Sequence, residues 1–376
     1  MGDQRSMEPF PPHSHPYGWL QENIPKLTQF LSDKLQAKDV GEVVILGDLF
    51  DQWVIPSDLD PIAGPDNICS NPSNQGIIDN LKKLAESSKL TYVPGNHDMS
   101  ACRKDIPVMR DFIKATFPGI NFICEDDRPT GVYRSENLKL IAEHGNMHCL
   151  FNAPDTWTSS GSFLPLGYFI SRLVAYKVAQ TGQSENYLDI LCKFIAEFKT
   201  NPDFISDLFF AVADDAGLNK SHKIDMVNIS GFGPSITIDE VAIKYSELIH
   251  DWDETHDKID SKGAIEGDSL GLLWAAYKLY LGPETGPAIN IAIFGHTHAW
   301  KNEDPYSFSD EDGQENEPSF RSHACKAIYA NSGTWIDSVR LCTYVETEAD
   351  EGNQRHYVRV RLYPGNQLLQ ELFVAL

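Results

Sequence analysis

Apolar residues recur along this chain with two different periods. Leu20, Ile24, Leu27, Phe30, Leu31 and Leu35 share one face at helical spacing, which predicts a helix over Trp19–Leu35. Ile77–Ser87 repeats that pattern. Between and after these lie short apolar runs of the kind that form buried strands: Glu42–Leu46, Leu90–Val93, Asn121–Cys124, Gly131–Ser135, Leu138–Glu143, Ile289–Phe294 and Ala327–Ala330. From Arg340 to Leu376 the alternation reads as a hairpin, CTYVETE returning as HYVRVRLY.

Between His144 and Ile289 the character changes. The segments FISRLVAYKVAQ, YLDILCKFIAEFK, DEVAIKYSELIHDW and LGLLWAAYKLYL all read as helices. The expectation is an α/β chain in three parts. Residues 1–159 form the first part of a strand-rich core, 160–285 an all-helical cap insertion, and 286–376 the second part of the core. Residues 1–18 and the acidic stretch Glu303–Pro318 read as irregular.

Composition narrows the function. The 376 residues carry 54 acidic and 31 basic side chains, and 31 − 54 gives a net charge of −23. Such a chain has no broad basic face for extended nucleic-acid binding. At 41% hydrophobic it can bury a sizeable core. Its longest apolar patch, Phe163–Ala175, is broken by Ser171 and Arg172 and falls short of the ~20 residues that a membrane span needs. That patch reads as the core of the cap. The seven cysteines are scattered singly, which reads as reduced thiols in a cytoplasmic protein whose N-terminus carries no signal peptide.

The chemistry lies just past the strands. Gly47-Asp48-Leu49-Phe50-Asp51 follows EVVIL, Gly95-Asn96-His97-Asp98 follows LTYVP, His144-Gly145 follows LKLIAE, and Gly295-His296-Thr297-His298 follows INIAIF. In open α/β sheets the carboxyl ends of strands converge on a ligand crevice. Asp, Asn and His gathered there form a mixed oxygen and nitrogen set suited to Mn, Fe, Zn or a similar divalent ion. Each motif alone is unremarkable. All four in order, each after a strand, point to a metal site. Two other clusters carry less. His250–Asp257 reads as a solvated acidic helix face, and His148 and Cys149 read as lining near His144.

The set GD-x-x-D, GNHD, HG and GHTH, with Asn331-Ser332-Gly333 further on, resembles the calcineurin-like metallophosphoesterase superfamily over about Gly41–Arg340, apart from the insertion. The resemblance implies a two-sheet sandwich with a dinuclear site at one edge and hydrolysis of phosphate esters or pyrophosphate bonds by a metal-bound hydroxide. It implies Asp48 as bridging ligand. Asn96, His144 and His296 would be ligands of one metal and His298 a ligand of the second. His97 would contact the scissile phosphate and assist the leaving group, Asp98 would orient His97, and Asp51 would stand behind the ligands. The combination ILGDLFDQW, HG followed by Cys149, and GHTH looks nearest the UDP-2,3-diacylglucosamine pyrophosphohydrolase-like branch, although that branch commonly has Arg where this chain has His97. The implied substrate is small and phosphorylated, with a nucleotide- or lipid-linked compound in view.

One departure stands out. The family opens with a strand and an Asp-x-His pair that completes the second metal, and neither precedes Asp48. Four explanations stay open: a strand before Met1 outside this sequence, substitution by His13 or His15, a remnant at Asp3, or a site that is mononuclear or inactive. The last keeps a second function in play, a catalytically impaired relative that binds a phosphorylated ligand or partner.

Overall fold

The computed structural model describes Met1 and residues 23–375, apart from 62–64, 103–107, 125–129, 155–163, 183–202, 228, 230, 257, 266–269, 286–288, 298–299, 304–323 and 337–341. His298, Asp3, His13, His15, YLDILCKFIAEFK and most of Glu303–Pro318 lie outside the described residues.

The chain is α/β. Helix α1 (Ile24–Gln36) packs beside α2 (Gln75–Glu86), and Asn80 donates to the Thr28 carbonyl at 2.9 Å. The two cover a parallel sheet of β1 (Val43–Leu46), β2 (Leu90–Val93) and β3 (Asn121–Phe122). The connections are helical: α2 links β1 to β2, and α3 (Val108–Thr116) links β2 to β3, as parallel strands require.

A second sheet runs β4 (Tyr133–Ser135), β5 (Leu140–Glu143), β8 (Ile291–Phe294), β11 (Ile328–Ser332) and β9 (Trp300–Glu303), with β5, β8 and β11 parallel. Its two faces show the period of two that strands impose. Leu140, Ala142, Ile291, Ile293, Ile328 and Ala330 pack on Val358, Leu372 and Val374 of a four-stranded sheet. Their neighbours Ile141, Ala292, Phe294 and Tyr329 pack on Leu272, Leu273, Ala276 and Leu281 of the insertion. The four-stranded sheet is ordered β10 (Ala324–Cys325), β14 (Gln367–Ala375), β13 (Arg355–Leu362) and β12 (Thr343–Asp350). The expected C-terminal hairpin is therefore a three-stranded meander. Its third strand, Gln367–Ala375, escaped the pattern because only Leu372 and Val374 in it are buried.

The insertion contains α4 (Leu166–Thr181), α5 (Phe204–Asp215), α6 (Ile238–Lys244), α7 (Leu248–Thr255) and α8 (Leu270–Ala276), the last running into a π-helical turn at Tyr277–Leu281. It is not all-helical: β6 (Lys223–Asp225) and β7 (Ser235–Thr237) pair antiparallel within it. These strands are too short for periodicity to show. Buried Leu166, Tyr168, Phe169, Ile170, Leu173 and Val174 belong to one apolar cluster that continues into Phe50, Trp53, Ile55 and Leu81 of the core. No helix among the described residues is long and apolar enough to cross a membrane.

The reading of every thiol as reduced is corrected at one place. Cys102 and Cys124 form a disulfide, their Cα atoms 5.4 Å apart. Twenty-two positions separate them in sequence, so spacing gave no signal, but β2 and β3 are neighbours and bring their ends together.

One buried titratable group lies on the sandwiched face of β13. His356 alternates with Val358 and Val360 and is 1% exposed. Burial holds its pKa below the ordinary 6.5, against a backbone hydrogen bond at Leu138 that pulls the other way. The unfolded chain takes the proton near 6.5 and the folded chain only at lower pH. The His356 contribution is thus complete above that pH and is lost as pH falls below it. Stability should decline as pH falls from about 7.5 to 5.5, this group adding at most ~1.4 kcal/mol per pH unit. His356→Leu should flatten the decline. Urea unfolding of both proteins across that range checks this, and equal pH slopes would rule it out.

Candidate metal centre

The ends of β1, β2, β5 and β8 meet at one point, and glycines let them do so. Gly47 has φ +81°, and a Cβ on it would lie 2.3 Å from His144 Nδ1 and 2.6 Å from the Gly95 Cα. A Cβ on Gly95 would lie 2.4 Å from Asp48 Oδ1. Asp48 itself has φ 55° and His296 has φ 72°. Aspartate tolerates that region and histidine does so at a cost, and such strain gathers at functional sites.

Acceptor atoms converge here. His144 Nε2 lies 3.1 Å from Asp48 Oδ2, 3.0 Å from Asn96 Oδ1 and 3.3 Å from His296 Nδ1. His144 Nδ1 donates to the Leu46 carbonyl at 2.7 Å. That bond fixes the tautomer: the proton sits on Nδ1 and the Nε2 lone pair faces the cluster. A ligating histidine is held in this way, its second nitrogen on a backbone carbonyl. Ligand atoms of Asp48, His144 and His296 all lie within 4.8 Å of one another. Lone pairs brought this close need a cation or a proton among them, so the donor set fits a divalent ion.

The two strand ends are tied to each other. Gly295 N donates to the His144 carbonyl at 3.0 Å, and the buried Asn331 donates to the Gly295 carbonyl at 2.6 Å. The Asn331-Ser332-Gly333 segment therefore steadies the turn that carries His296.

His97 stands beside the cluster, its backbone N donating to Asp48 Oδ1 at 2.9 Å. Its ring nitrogen Nδ1 meets Asp51 Oδ1 at 2.8 Å. The ring stacks on Trp53, centroids 4.5 Å apart and planes 24° from parallel. The expected role of Asp98 is corrected here. No hydrogen bond joins its side chain to His97. Asp98 is fully buried and accepts from the backbone of Asp48 (3.3 Å), Phe50 (3.1 Å) and Gly95 (2.6 Å), and from the Tyr92 hydroxyl. It pins the first two motif loops together, while Asp51 orients His97. The sequence put Asp98 next to His97, but consecutive side chains at a turn point apart.

Electrostatics follow the geometry. Burial alone would lower the His97 pKa, but the charges of Asp48 and Asp51 and the Asp51 hydrogen bond raise it to about 9. Burial likewise opposes, and the Asp48 charge overcomes, to raise His144. Asp48 is held far below the usual carboxylate range: burial pushes up, but His144 and His97 pull down harder. Asp98 is pushed up by burial and by the Asp48 charge, in part offset by its hydrogen-bond donors.

Sequence reasoning missed Asn152. Its buried amide lies 3.3 Å from His296 Nε2 and 3.5 Å from Asn96 Nδ2, so it braces two residues of the cluster. Only its distance past His144, eight positions, could have drawn attention to it. His148 does not line the cleft: it is buried, 2.9 Å from Glu143 Oε1, which also accepts from Tyr280 at 3.0 Å. His250 and Glu254 form an exposed pair at 3.3 Å, as a solvated face predicts.

No family model, no curated protein and no solved structure matches this chain, so the site is read from its own geometry.

Asp48→Asn keeps a residue that tolerates positive φ and removes only the charge. It should lower the content of bound divalent metal at least several-fold without unfolding the chain. Elemental analysis of Mn²⁺-loaded protein checks this. A variant with full metal content would make Asp48 a turn residue only.

Proposed function

We propose that this chain is a divalent-metal-dependent hydrolase of phosphate esters or pyrophosphate bonds, with the two-sheet fold and site of the calcineurin-like metallophosphoesterases. One observation carries the reading: Asp48, Asn96, His144 and His296 turn their acceptor atoms onto one point, and a cationic His97 stands next to it.

Asp48, Asn96, His144 and His296 would hold the ion. When bound, a divalent cation supplies Lewis-acid charge for phosphate oxygens and an acidified water. The remaining chemistry belongs to the chain. His97 is protonated at neutral pH and is hydrogen-bonded at Nδ1, which leaves Nε2–H as the donor to a phosphate or leaving oxygen. Asp51 and Trp53 hold the ring from edge and face. Asp98 keeps the Asp48 and Asn96 loops in register, so ligand and proton donor keep a fixed separation. The proposal needs only one ion.

The test is a hydrolysis screen with Mn²⁺ against phosphomonoesters, phosphodiesters and nucleotide pyrophosphates, paired with metal analysis. His97→Ala should lower turnover by ~10²–10⁴-fold while bound metal stays at the wild-type level. Loss of the metal in this variant would move His97 into the ligand set. Stoichiometric metal binding without turnover on any substrate would favour the binding-only reading instead.

A further inference from the structure

The buried Arg172 is the feature that the proposed chemistry leaves unused. It sits on α4, in the insertion, and is fully buried. Its hydrogen bonds among the described residues end on backbone carbonyls and one hydroxyl. Nε donates to Ile55 O at 2.7 Å, and Nη2 to Pro56 O at 3.0 Å and Leu59 O at 2.6 Å. Nη1 donates to Tyr168 Oη at 2.8 Å and to Asp225 O at 3.2 Å. A guanidinium carries five N–H groups in a fixed fork; here Nε and Nη2 serve a loop that has no sheet or helix to satisfy it, while Nη1 ties that fork to Tyr168 and to Asp225.

That loop is the continuation of the first motif. Asp51 Oδ1 accepts from Trp53 N at 3.0 Å and Val54 N at 3.1 Å while it holds His97. Trp53 is buried between His97 on one face and Tyr168, whose ring meets its edge at 5.9 Å and 87°. Tyr168 and Arg172 are one turn apart on α4 and reach the loop together. A continuous path therefore runs from the insertion to the proposed proton donor: Arg172 and Tyr168, the 53–59 backbone, Trp53 and Asp51, His97.

We infer that Arg172 is a positioning residue for His97, so that the insertion builds the catalytic arm and does not only select substrates. This rests on the hydrolase reading for its kinetic consequence and on geometry alone for its structural one. It also sets this insertion apart from a detachable cap. A cap that merely overhangs the site would be dispensable for a small generic substrate. A cap that supplies the clamp on 55–59 is needed for every substrate.

The test uses Arg172→Met, Arg172→Lys and Tyr168→Phe in the full chain, with p-nitrophenyl phosphate and Mn²⁺. A shift of about 1 Å in a reacting group can cost ~10²-fold. Arg172→Met should lose kcat on that order, with KM changed by less than about threefold and bound metal unchanged. Arg172→Lys keeps the charge but not the fork and should recover only part of the rate. Tyr168→Phe removes one hydroxyl, tests the same path if Arg172→Met does not fold, and should show a smaller fall in kcat. A second readout does not depend on turnover. In the metal-free protein with labelled histidine, the Trp53 ring current should displace the His97 ring-proton resonances, and this displacement should shrink in the variants while the His356 resonances stay in place. Folded variants that keep both the kcat and the His97 displacement of the wild type would overturn the inference. An inactive wild type would sink the hydrolase reading, and the His97 displacement would then decide the inference by itself.

Discussion

Acceptor atoms of Asp48, Asn96 and His296, from the ends of β1, β2 and β8, lie 3.0–3.3 Å from Nε2 of His144 at the end of β5, and the rest of the site is arranged around that crowding. In the absence of positive charge, the Asp48 carboxylate and the Asn96, His144 and His296 lone pairs would repel. The Asp48 charge relieves it in part by raising the His144 pKa, while His144 and His97 hold the Asp48 carboxylate well below the usual range. A divalent ion relieves it better, because each atom can then direct a lone pair at the same centre. The backbone accepts strain to keep them there: a non-glycine residue with positive φ occurs at both Asp48 and His296.

Holding these ends in place takes buried polar groups that bind nothing themselves. Asp98 collects three backbone N–H groups and a tyrosine hydroxyl from the β1 and β2 loops. Asn331 and the Leu46 carbonyl do the same work for β8 and β5. Each is a satisfied polar group in an apolar surround, where an unmade hydrogen bond would cost ~1–3 kcal/mol. The positions of the clustered residues are therefore fixed by groups as demanding as they are.

The strands and the motif residues were legible because both obey short-range rules. Buried parallel strands are unbroken apolar runs, and the residue just past each is where a turn and a ligand must fall, so Asp48, Asn96, His144 and His296 could be picked out. What was not legible depends on pairing between distant segments. Asp51 and Asp98 are equally good partners for His97 on paper, and only the direction of each side chain chooses Asp51. Cys102 and Cys124 join only because β2 and β3 are neighbours. Arg172 reads as an interruption in an apolar helix, and its meaning comes from carbonyls more than a hundred positions away. The third strand of the C-terminal meander was hidden because only two of its residues are buried, and β6 and β7 by their length.

The charge balance joins the site to the whole chain. A protein with a net charge of −23 repels anions at long range, and Asp48, Asp51 and Asp98 add three carboxylates around His97. A phosphate approaching that field meets repulsion from the surface and from the floor of the site. Two features reverse it. The divalent ion that the donor set fits would cancel Asp48 and leave positive charge over. His97, whose pKa Asp48 and Asp51 raise to about 9 in the metal-free chain, would stand as a proton donor beside it. The acids are thus not a barrier to a phosphorylated substrate but the source of the positive charge that would bind it. Each carboxylate raises the proton affinity of His97 or would draw in a metal, and the buried loop clamped by Arg172 keeps Asp51 close enough to do so.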